Sequence, residues 1–239
     1  MKIDVAVLNQ GSVRTELVEK LLKLSHDQRY DLSFTYPSRA PVASNRNYIC
    51  KQFREGDADF LLMTDDDQHW EKNPLDMVEH DLDVVGFPTS VYQPVVSMEK
   101  PVRWNMIKKE GAEEAPITQV SGIGSGSLLI ARRVLEHPDL RAPFMDKFDE
   151  DGIRVSSEDL RFCDAVWAAG FQVWAVLVNP CHHLKTVDLL LMHKLLEEPA
   201  DEHPVSDGPD GTGGIAELPR KLWYTIQRLW GGARDVESQ

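Results

Sequence analysis

The sequence is poor in three features that would place it in special classes of protein: cysteine, long apolar runs and positive charge. It contains 3 cysteines in 239 residues, an odd and widely spaced set that indicates a reducing compartment and no disulfide framework. No segment approaches the roughly 20 apolar residues that a membrane-spanning helix needs. The net charge of −13 argues against a protein that grips a nucleic-acid backbone, because such binding needs a clustered basic surface. We therefore expect a cytoplasmic enzyme or binding domain.

What the sequence does contain is the alternation of strands and helices that builds an open α/β sheet. A short apolar run at residues 5–8 precedes the polar turn Asn9-Gln10-Gly11-Ser12 and a helical pattern at residues 15–24. Ligands bind such sheets at the carboxyl ends of the strands, which makes Asn9 and Gly11 candidates for cofactor binding. The pattern also predicts strands at 32–36, 60–63, 83–87, 127–130 and 171–178, an antiparallel pair at 95–98 and 102–107, and helices at 44–53 (Ser44 as its N-cap), 132–136 and 160–169.

The most informative segment is Asp65-Asp66-Asp67, which directly follows the apolar run at residues 60–63. A continuous apolar run predicts a strand that is buried on both faces. Adjacent carboxylates repel one another unless a cation compensates them, and alternate residues at a strand end point the same way. We expect Asp65 and Asp67 to face one site, one near a ribose and the other on Mn²⁺ or Mg²⁺ bridging two phosphates. The alternative is a solvated acidic turn.

The chain changes character after residue 198. Residues 199–214 are rich in proline, glycine and acids, which predicts a flexible linker. Residues 215–239 begin with apolar side chains at helical spacing, the pattern of an amphipathic helix. We predict an α/β domain at 1–198, a linker at 199–214, and an amphipathic helix with a tail at 215–239. That helix is free to pack on its own domain, a second subunit in a homo-oligomer, a membrane surface or a partner. Its apolar positions are Leu218, Leu222, Ile226 and Leu229.

Several segments occur in an order and spacing that a known enzyme family shares. They are Ala43-Ser44-Asn45-Arg46-Asn47, Thr64-Asp65-Asp66-Asp67, residues 122–126 with Leu128-Leu129-Ile130, residues 157–163, and Val173-Trp174-Ala175 through His183. Over about residues 3–190 the chain resembles a glycosyltransferase of the GT-A fold, of the family-two type that includes small stand-alone bacterial and phage members. The resemblance implies a Rossmann-like mixed sheet flanked by helices, a nucleotide-sugar donor and an Asp-x-Asp motif.

The resemblance also implies roles for the residues near the nucleotide. Asp65 would contact the nucleoside and is also a candidate metal ligand, and Asp67 would bind the metal. Asp66 is the less engaged of the three, but the triplet leaves the register open and Asp66 stays a nucleotide-contact candidate. The guanidinium of Arg46 can pair with a phosphate or stack on a base; the alternative is a salt bridge to an acid.

A late histidine would complete the metal ligands. His183 fits the family's spacing better than His182, because Leu184 and Lys185 follow it. Nitrogen ligation beside carboxylates favours Mn²⁺ over Mg²⁺. Lys185 could add positive charge to the diphosphate. A surface histidine pair at a strand end and a solvated lysine are the alternatives.

Glu158 and Asp159 lie where a helix is predicted to begin. By the resemblance, Asp159 would be the general base that deprotonates the acceptor hydroxyl, with Glu158 holding the acceptor. A base opposite the leaving phosphate would invert the anomeric centre. Acids in a first helical turn also complement the helix dipole, so a structural role is equally consistent with the pattern.

The sequence therefore predicts a metal-dependent transfer of sugar from a nucleoside-diphosphate sugar, with UDP as the expected nucleotide, to an acceptor hydroxyl. The acceptor stays open: a glycan, a lipid, a small molecule, a protein or a modified nucleobase. One alternative is a nucleotidyltransferase that makes a nucleotide sugar, although the first loop offers a single arginine, Arg14. A second is a non-catalytic module that keeps the nucleotide pocket.

Overall fold

The computed structural model describes residues 1–92, 102–113 and 115–185. Within these residues the chain forms a mixed eight-stranded sheet with helices on both faces, and three small two-stranded sheets at its periphery. None of the helices in this part of the chain is both long and apolar enough to cross a membrane. The strand predicted at 95–98 and the linker and amphipathic helix predicted for 199–239 lie outside the described residues.

The elements follow one another along the chain. The strands are β1 (Lys2–Leu8), β2 (Asp31–Thr35), β3 (Phe60–Asp65), β4 (Gln68–Trp70), β5 (Val84–Gly86), β6 (Ser90–Tyr92), β7 (Val102–Trp104), β8 (Met106–Lys108), β9 (Ile117–Ile123), β10 (Ser127–Ala131), β11 (Lys147–Phe148), β12 (Arg154–Ser156), β13 (Val173–Val176) and β14 (Cys181–His183). The α-helices are α1 (Thr15–Leu24), α2 (Val42–Glu55), α3 (Arg132–Leu135) and α4 (Glu158–Ala168), with 3₁₀ turns at Pro74–His80 and Pro138–Leu140.

The main sheet has the order β2-β1-β3-β10-β5-β13-β9-β8. Strands β2, β1 and β3 are mutually parallel, whereas β10 runs antiparallel to both β3 and β5. Because the first three strands are parallel, their carboxyl ends lie along one edge of the sheet. The loop after β1, the loop after β2 and the acidic segment after β3 therefore meet there.

Strand β3 has a core on each side, as its continuous apolar run predicts. Leu61 and Met63 belong to one buried cluster together with residues of α2 and α4. Phe60 and Leu62 belong to the other, together with residues of α1. Burying side chains of this size stabilises the fold by about 1.5–3 kcal/mol each. The strand that carries the acidic segment is therefore among the most firmly held parts of the molecule.

The helix boundaries differ from expectation mainly at α2. Helix α1 has the predicted range, but α2 begins at Val42, and its N-cap residue is Pro41 rather than Ser44. Proline suits a helix start because its φ is already helical and it has no N–H to leave unsatisfied. The earlier start adds half a turn to α2 beside the loop that follows β2.

All three thiols are buried, which leads to a first prediction. Burial raises the pKa of Cys50, Cys163 and Cys181 to about 12 each. Because the thiolate is the reactive form, we expect the native protein to react negligibly with dithionitrobenzoate at pH 7.5. In denaturant all three thiols should be titrated. Rapid modification of even one thiol in the native protein would contradict the packing described here.

Candidate active site

A cavity of about 570 Å³ opens at the carboxyl ends of β1, β2 and β3. Its volume is within the range of about 300–1,000 Å³ that encloses small-molecule ligands. The sequence-predicted residues Gly11, Arg46 and His183 are not among those that line it. The wall is formed by Leu8, Asn9, Gln10, Ser38, Arg39, Ala40, Pro41, Val42, Asn45, Asp65, Asp66, Asp67 and Lys185. We call this space the donor cavity.

Asn9 and Gly11 shape the first loop of the donor cavity. The Asn9 side-chain amide donates to the Tyr36 carbonyl over 3.0 Å, which ties the loop after β1 to the end of β2. The Asn9 side-chain oxygen accepts a hydrogen bond from the Gly11 N–H, also at 3.0 Å. Gly11 has a φ of +104°, a conformation that a residue with a Cβ rarely adopts. Gly11 is therefore required for the turn, while Asn9 also presents its side chain to the cavity.

Arg46 is buried in an ion-pair bridge between two acidic residues. Its side chain is 4% exposed. One terminal nitrogen donates to both Asp65 carboxylate oxygens at 2.8 and 3.0 Å, and the other donates to Glu158 at 3.0 Å. The structure thus favours the salt-bridge alternative for Arg46 over contact with a phosphate, because its terminal nitrogens already have carboxylate partners.

Ionisation of the Asp65 carboxyl group is energetically unfavourable at this position. Burial raises the pKa of Asp65 to about 6, while the Arg46 guanidinium opposes the rise. The neighbouring carboxylates of Asp67 and Asp66 raise the pKa of Asp65 further. Arg46 is accordingly the group that lets a carboxylate persist at the end of β3.

Asp66 has mainly local partners. Its carboxylate accepts a hydrogen bond from the Gln10 N–H at 3.1 Å, and its carbonyl accepts one from the Arg14 N–H at 3.1 Å. Asp66 therefore braces the loop between β1 and α1, although its side chain also lines the donor cavity.

Asp67 lies beside His183, the last residue of β14, and beside Lys185, which comes two residues later in the chain. The β14–β4 register places His183 opposite Gln68, and the Leu184 N–H donates to the Asp67 carbonyl at 2.8 Å. The Lys185 ammonium group pairs with the Asp67 carboxylate. Burial alone would raise the pKa of Asp67, but His183 and Lys185 outweigh burial and lower it to about 2.

The orientation of the His183 ring suits a cation ligand. Its Nδ1 lies 3.1 Å from the Ser90 carbonyl oxygen; that oxygen can only accept, so Nδ1 carries the proton. In the protonated ring, Nε2 carries positive charge toward the Asp67 carboxylate, which is how His183 lowers the pKa of Asp67. In the neutral ring, the form that can bind a cation, Nε2 instead has a lone pair that faces the Asp67 carboxylate at 3.6 Å. Two electron-pair donors at this spacing match neighbouring ligands of one ion, with Ser90 fixing the imidazole as outer-shell partners do.

His182 points to a different neighbourhood. Its ring stacks on His69 with centroids 4.6 Å apart, and its Nε2 lies 3.4 Å from a Glu71 carboxylate oxygen. Successive residues of a strand face opposite sides, so only one of the two histidines can lie beside Asp67. The structure places His183 there.

Glu158 and Asp159 begin α4 and have different surroundings. The Glu158 side chain is 11% exposed and is paired with Arg46. Asp159 is half-buried and its carboxylate accepts hydrogen bonds from Ser157 Oγ and the Leu160 N–H. Of the two, Asp159 is the more accessible, and Glu158 is occupied by an internal partner.

Gly124 and Gly126 leave room for side chains from other parts of the protein. A Cβ on Gly124 would lie 1.8 Å from the Asn105 amide nitrogen, and one on Gly126 would lie 1.8 Å from the Gln68 amide nitrogen. The space beside these two glycines is therefore filled from within the fold.

Among the residues that line the donor cavity but were not candidates from the sequence are Arg39 and Asn45. The Arg39 guanidinium lies 3.7 Å above the ring centre of Tyr48, a cation–π contact. Asn45 is buried, and its side-chain amide donates to the Pro37 carbonyl at 3.0 Å. Asn45 stands next to Arg46 in the segment that carries the family resemblance, so it could have been suspected, whereas no local pattern singles out Arg39.

Comparison with known proteins supports the fold. Neither a protein-family model nor a curated protein matches the sequence. Among solved structures, A197 from STIV is similar over 78% of this chain and 87% of its own, with a TM-score of 0.53 and 22% identity. GalNAc-T7, crystallised with UDP, GalNAc and Mn²⁺, has a TM-score of 0.44 at 9% identity, over 98% of this chain and 50% of its own. HddC from Yersinia pseudotuberculosis, complexed with GMP-PN, has a TM-score of 0.35 at 13% identity, over 56% and 79%.

These structural similarities concern the fold. At 22% identity the similarity to A197 shows the fold alone, and the two weaker similarities carry no argument. The predicted fold class, a GT-A-like mixed sheet flanked by helices, is confirmed within the described residues. Activity must be argued from the site itself.

Proposed function

We propose that the protein is a metal-dependent glycosyltransferase that moves a sugar from a nucleoside-diphosphate sugar to an acceptor hydroxyl. One observation carries the proposal: the donor cavity is lined by Asp67, whose carboxylate faces His183 Nε2 at 3.6 Å. A nucleotide-sized space that leads to a pair of cation ligands is the arrangement that a diphosphate with its metal requires.

Asp67 and His183 fit a divalent cation as neighbouring ligands. Among residues 1–92, 102–113 and 115–185 no three acidic, histidine or cysteine side chains already converge as a metal site. We attribute this to the internal cations, since Asp65 is held by Arg46 and Asp67 by Lys185. Donor phosphate oxygens would supply the remaining ligands. The mixed oxygen and nitrogen set favours Mn²⁺, which when bound would neutralise charge on the leaving diphosphate.

Other residues of the chain would bind the nucleoside and the phosphates of the donor. Asn9 and Asp65 line the donor cavity where the nucleoside would lie, and UDP is the nucleotide that the family resemblance favours. Lys185 has a flexible stem and a compact charge, so it can pair with a phosphate oxygen as readily as with Asp67. The loops after β1 and β2 exclude water from one side of the nucleotide.

Asp159 is the residue we propose as general base toward the acceptor hydroxyl, which would make the transfer inverting. Its accessible carboxylate is the observation that favours it over Glu158. Glu158 instead contributes to positioning, because the Arg46 bridge connects it to Asp65 across the floor of the site.

A thermal-shift screen of nucleoside mono-, di- and triphosphates and nucleotide sugars tests the proposal. A ligand that binds the native state raises the melting temperature by mass action. At about 100 times its Kd, a diphosphate nucleotide with Mn²⁺ should raise it by about 5–10 °C, and EDTA should remove most of the shift. If no nucleotide shifts the melting temperature in either condition, the proposal is wrong.

Two further assays separate the proposal from its rivals. Slow release of nucleoside diphosphate from a nucleotide sugar in Mn²⁺ indicates transfer to water and supports a glycosyltransferase. Release of pyrophosphate from a nucleoside triphosphate and a sugar phosphate would identify a nucleotidyltransferase. Metal-dependent donor binding with no hydrolysis at all would identify a non-catalytic module.

A further inference from the structure

A second, smaller cavity lies beside His183. It has a volume of about 280 Å³ and is lined by Glu71, Ser90, Trp104, Pro180, Cys181, His182 and His183. Strand β14 forms one wall, and the β6–β7 pair, in which Ser90 lies opposite Trp104, forms another. We call it the Trp104 cavity.

One pair of side chains links the donor cavity and the Trp104 cavity. Asp67 lines the donor cavity and His183 lines the Trp104 cavity. The same two residues face each other at 3.6 Å, and Ser90, another residue of the Trp104 cavity, holds the His183 ring. A ligand in the Trp104 cavity would thus lie next to His183, one of the two proposed cation ligands.

The lining of the Trp104 cavity matches the surface of a sugar ring. Trp104 is 50% exposed, although an indole of this size is usually well buried. It offers a flat apolar face of the kind that pairs with the C–H face of a pyranose. Glu71 and His182 are each about half exposed and provide an acceptor and a donor for hydroxyl groups. One aromatic wall with a few polar groups is the usual form of a small-molecule site.

We propose that the Trp104 cavity binds one pyranose ring of the glycosyl-transfer reaction, with Trp104 as the stacking platform and Glu71 and His182 as hydroxyl partners. This inference rests on the proposed function. The volume lies just below the range of about 300–1,000 Å³ for drug-sized ligands, which suits a single sugar rather than a longer chain. The ring belongs either to the donor sugar or to the acceptor.

The test compares the full-length wild type with Trp104→Ala, Trp104→Phe and Phe148→Ala. Phe148 is the matched control, since it is 55% exposed and does not line the cavity. Saturation-transfer NMR with the methyl glycosides of glucose, galactose, mannose and N-acetylglucosamine, with and without UDP and Mn²⁺, probes an acceptor ring. Calorimetric affinities for UDP and for the UDP-linked forms of glucose, galactose and N-acetylglucosamine probe a donor ring.

Each outcome has a defined meaning. Loss of a methyl glycoside signal in Trp104→Ala only, with unchanged UDP-sugar affinity, assigns the cavity to the acceptor. UDP-sugar binding that weakens about tenfold in Trp104→Ala, with UDP binding unchanged, assigns it to the donor sugar. If Trp104→Ala matches Phe148→Ala in both arms, the Trp104 cavity is not a sugar site, even where UDP binds normally. If no nucleoside diphosphate binds at all, the proposed function fails, while the glycoside arm without nucleotide still tests the cavity.

Discussion

Replacing Arg46 by methionine is expected to lower the free energy of unfolding by about 3–5 kcal/mol. Methionine matches much of the volume of arginine but leaves the carboxylates of Asp65 and Glu158 without their shared partner. Both acids would then be desolvated charges without a partner, which is the costly situation for a buried ion pair that has lost one member. Asp65 would in addition feel the carboxylates of Asp66 and Asp67. Urea denaturation followed by circular dichroism measures the effect.

Two companion variants show whether charge, rather than shape, causes the loss. The triple variant Asp65→Asn, Arg46→Met, Glu158→Gln removes the unpaired charges and should recover a substantial part of the stability. Arg161→Met removes an exposed arginine that pairs with Asp164 within α4, and we expect it to change stability by no more than about 0.5 kcal/mol. A loss below about 1 kcal/mol in Arg46→Met would mean that the bridge contributes no more than a surface ion pair.

Replacing Asp67 by asparagine is expected to reduce Mn²⁺-dependent hydrolysis of the donor by about 10²–10³-fold. The substitution keeps the size of the side chain but removes the charge that faces His183 and pairs with Lys185. Cation binding should weaken with it, so that the thermal shift caused by a diphosphate nucleotide no longer depends on Mn²⁺. Both effects are measured on the same purified protein, the first by release of nucleoside diphosphate.

Asp66→Asn is the matched control for this prediction. It is the same substitution one residue away, and the asparagine oxygen still accepts the hydrogen bond from the Gln10 N–H. We expect its Mn²⁺ dependence to equal that of the wild type. If Asp66→Asn loses the Mn²⁺ dependence and Asp67→Asn keeps it, the cation ligand is Asp66 and the proposed register of the acidic segment is wrong.

The parts of the molecule that the sequence predicts well are those with a local cause. The range of α1 follows from apolar residues at helical spacing. The two-sided burial of β3 follows from a run of apolar residues with no polar interruption. The acidic segment lies at the end of β3 because it directly follows the apolar run of that strand in the sequence. All three of its carboxylates line the donor cavity.

Other features could not be read from the sequence because they join distant segments. Arg46 meets Glu158 across 112 residues, and the Trp104 cavity combines Glu71, which follows β4, with residues of β6, β7 and β14. No periodicity encodes which strands become neighbours, so the sequence left Arg46 open between a phosphate and a carboxylate. The side chains that fill the space beside Gly124 and Gly126, Asn105 and Gln68, likewise come from other segments of the chain.

The sequence by itself therefore determined the α/β class, the double-sided burial of β3 and the position of three carboxylates at its end, because hydrophobic periodicity and chain connectivity are local. Only the tertiary structure decided which cation each carboxylate meets and which histidine faces Asp67. Those pairings depend on the strand order of the sheet and on the register of β14 against β4, which are set by packing of the whole domain.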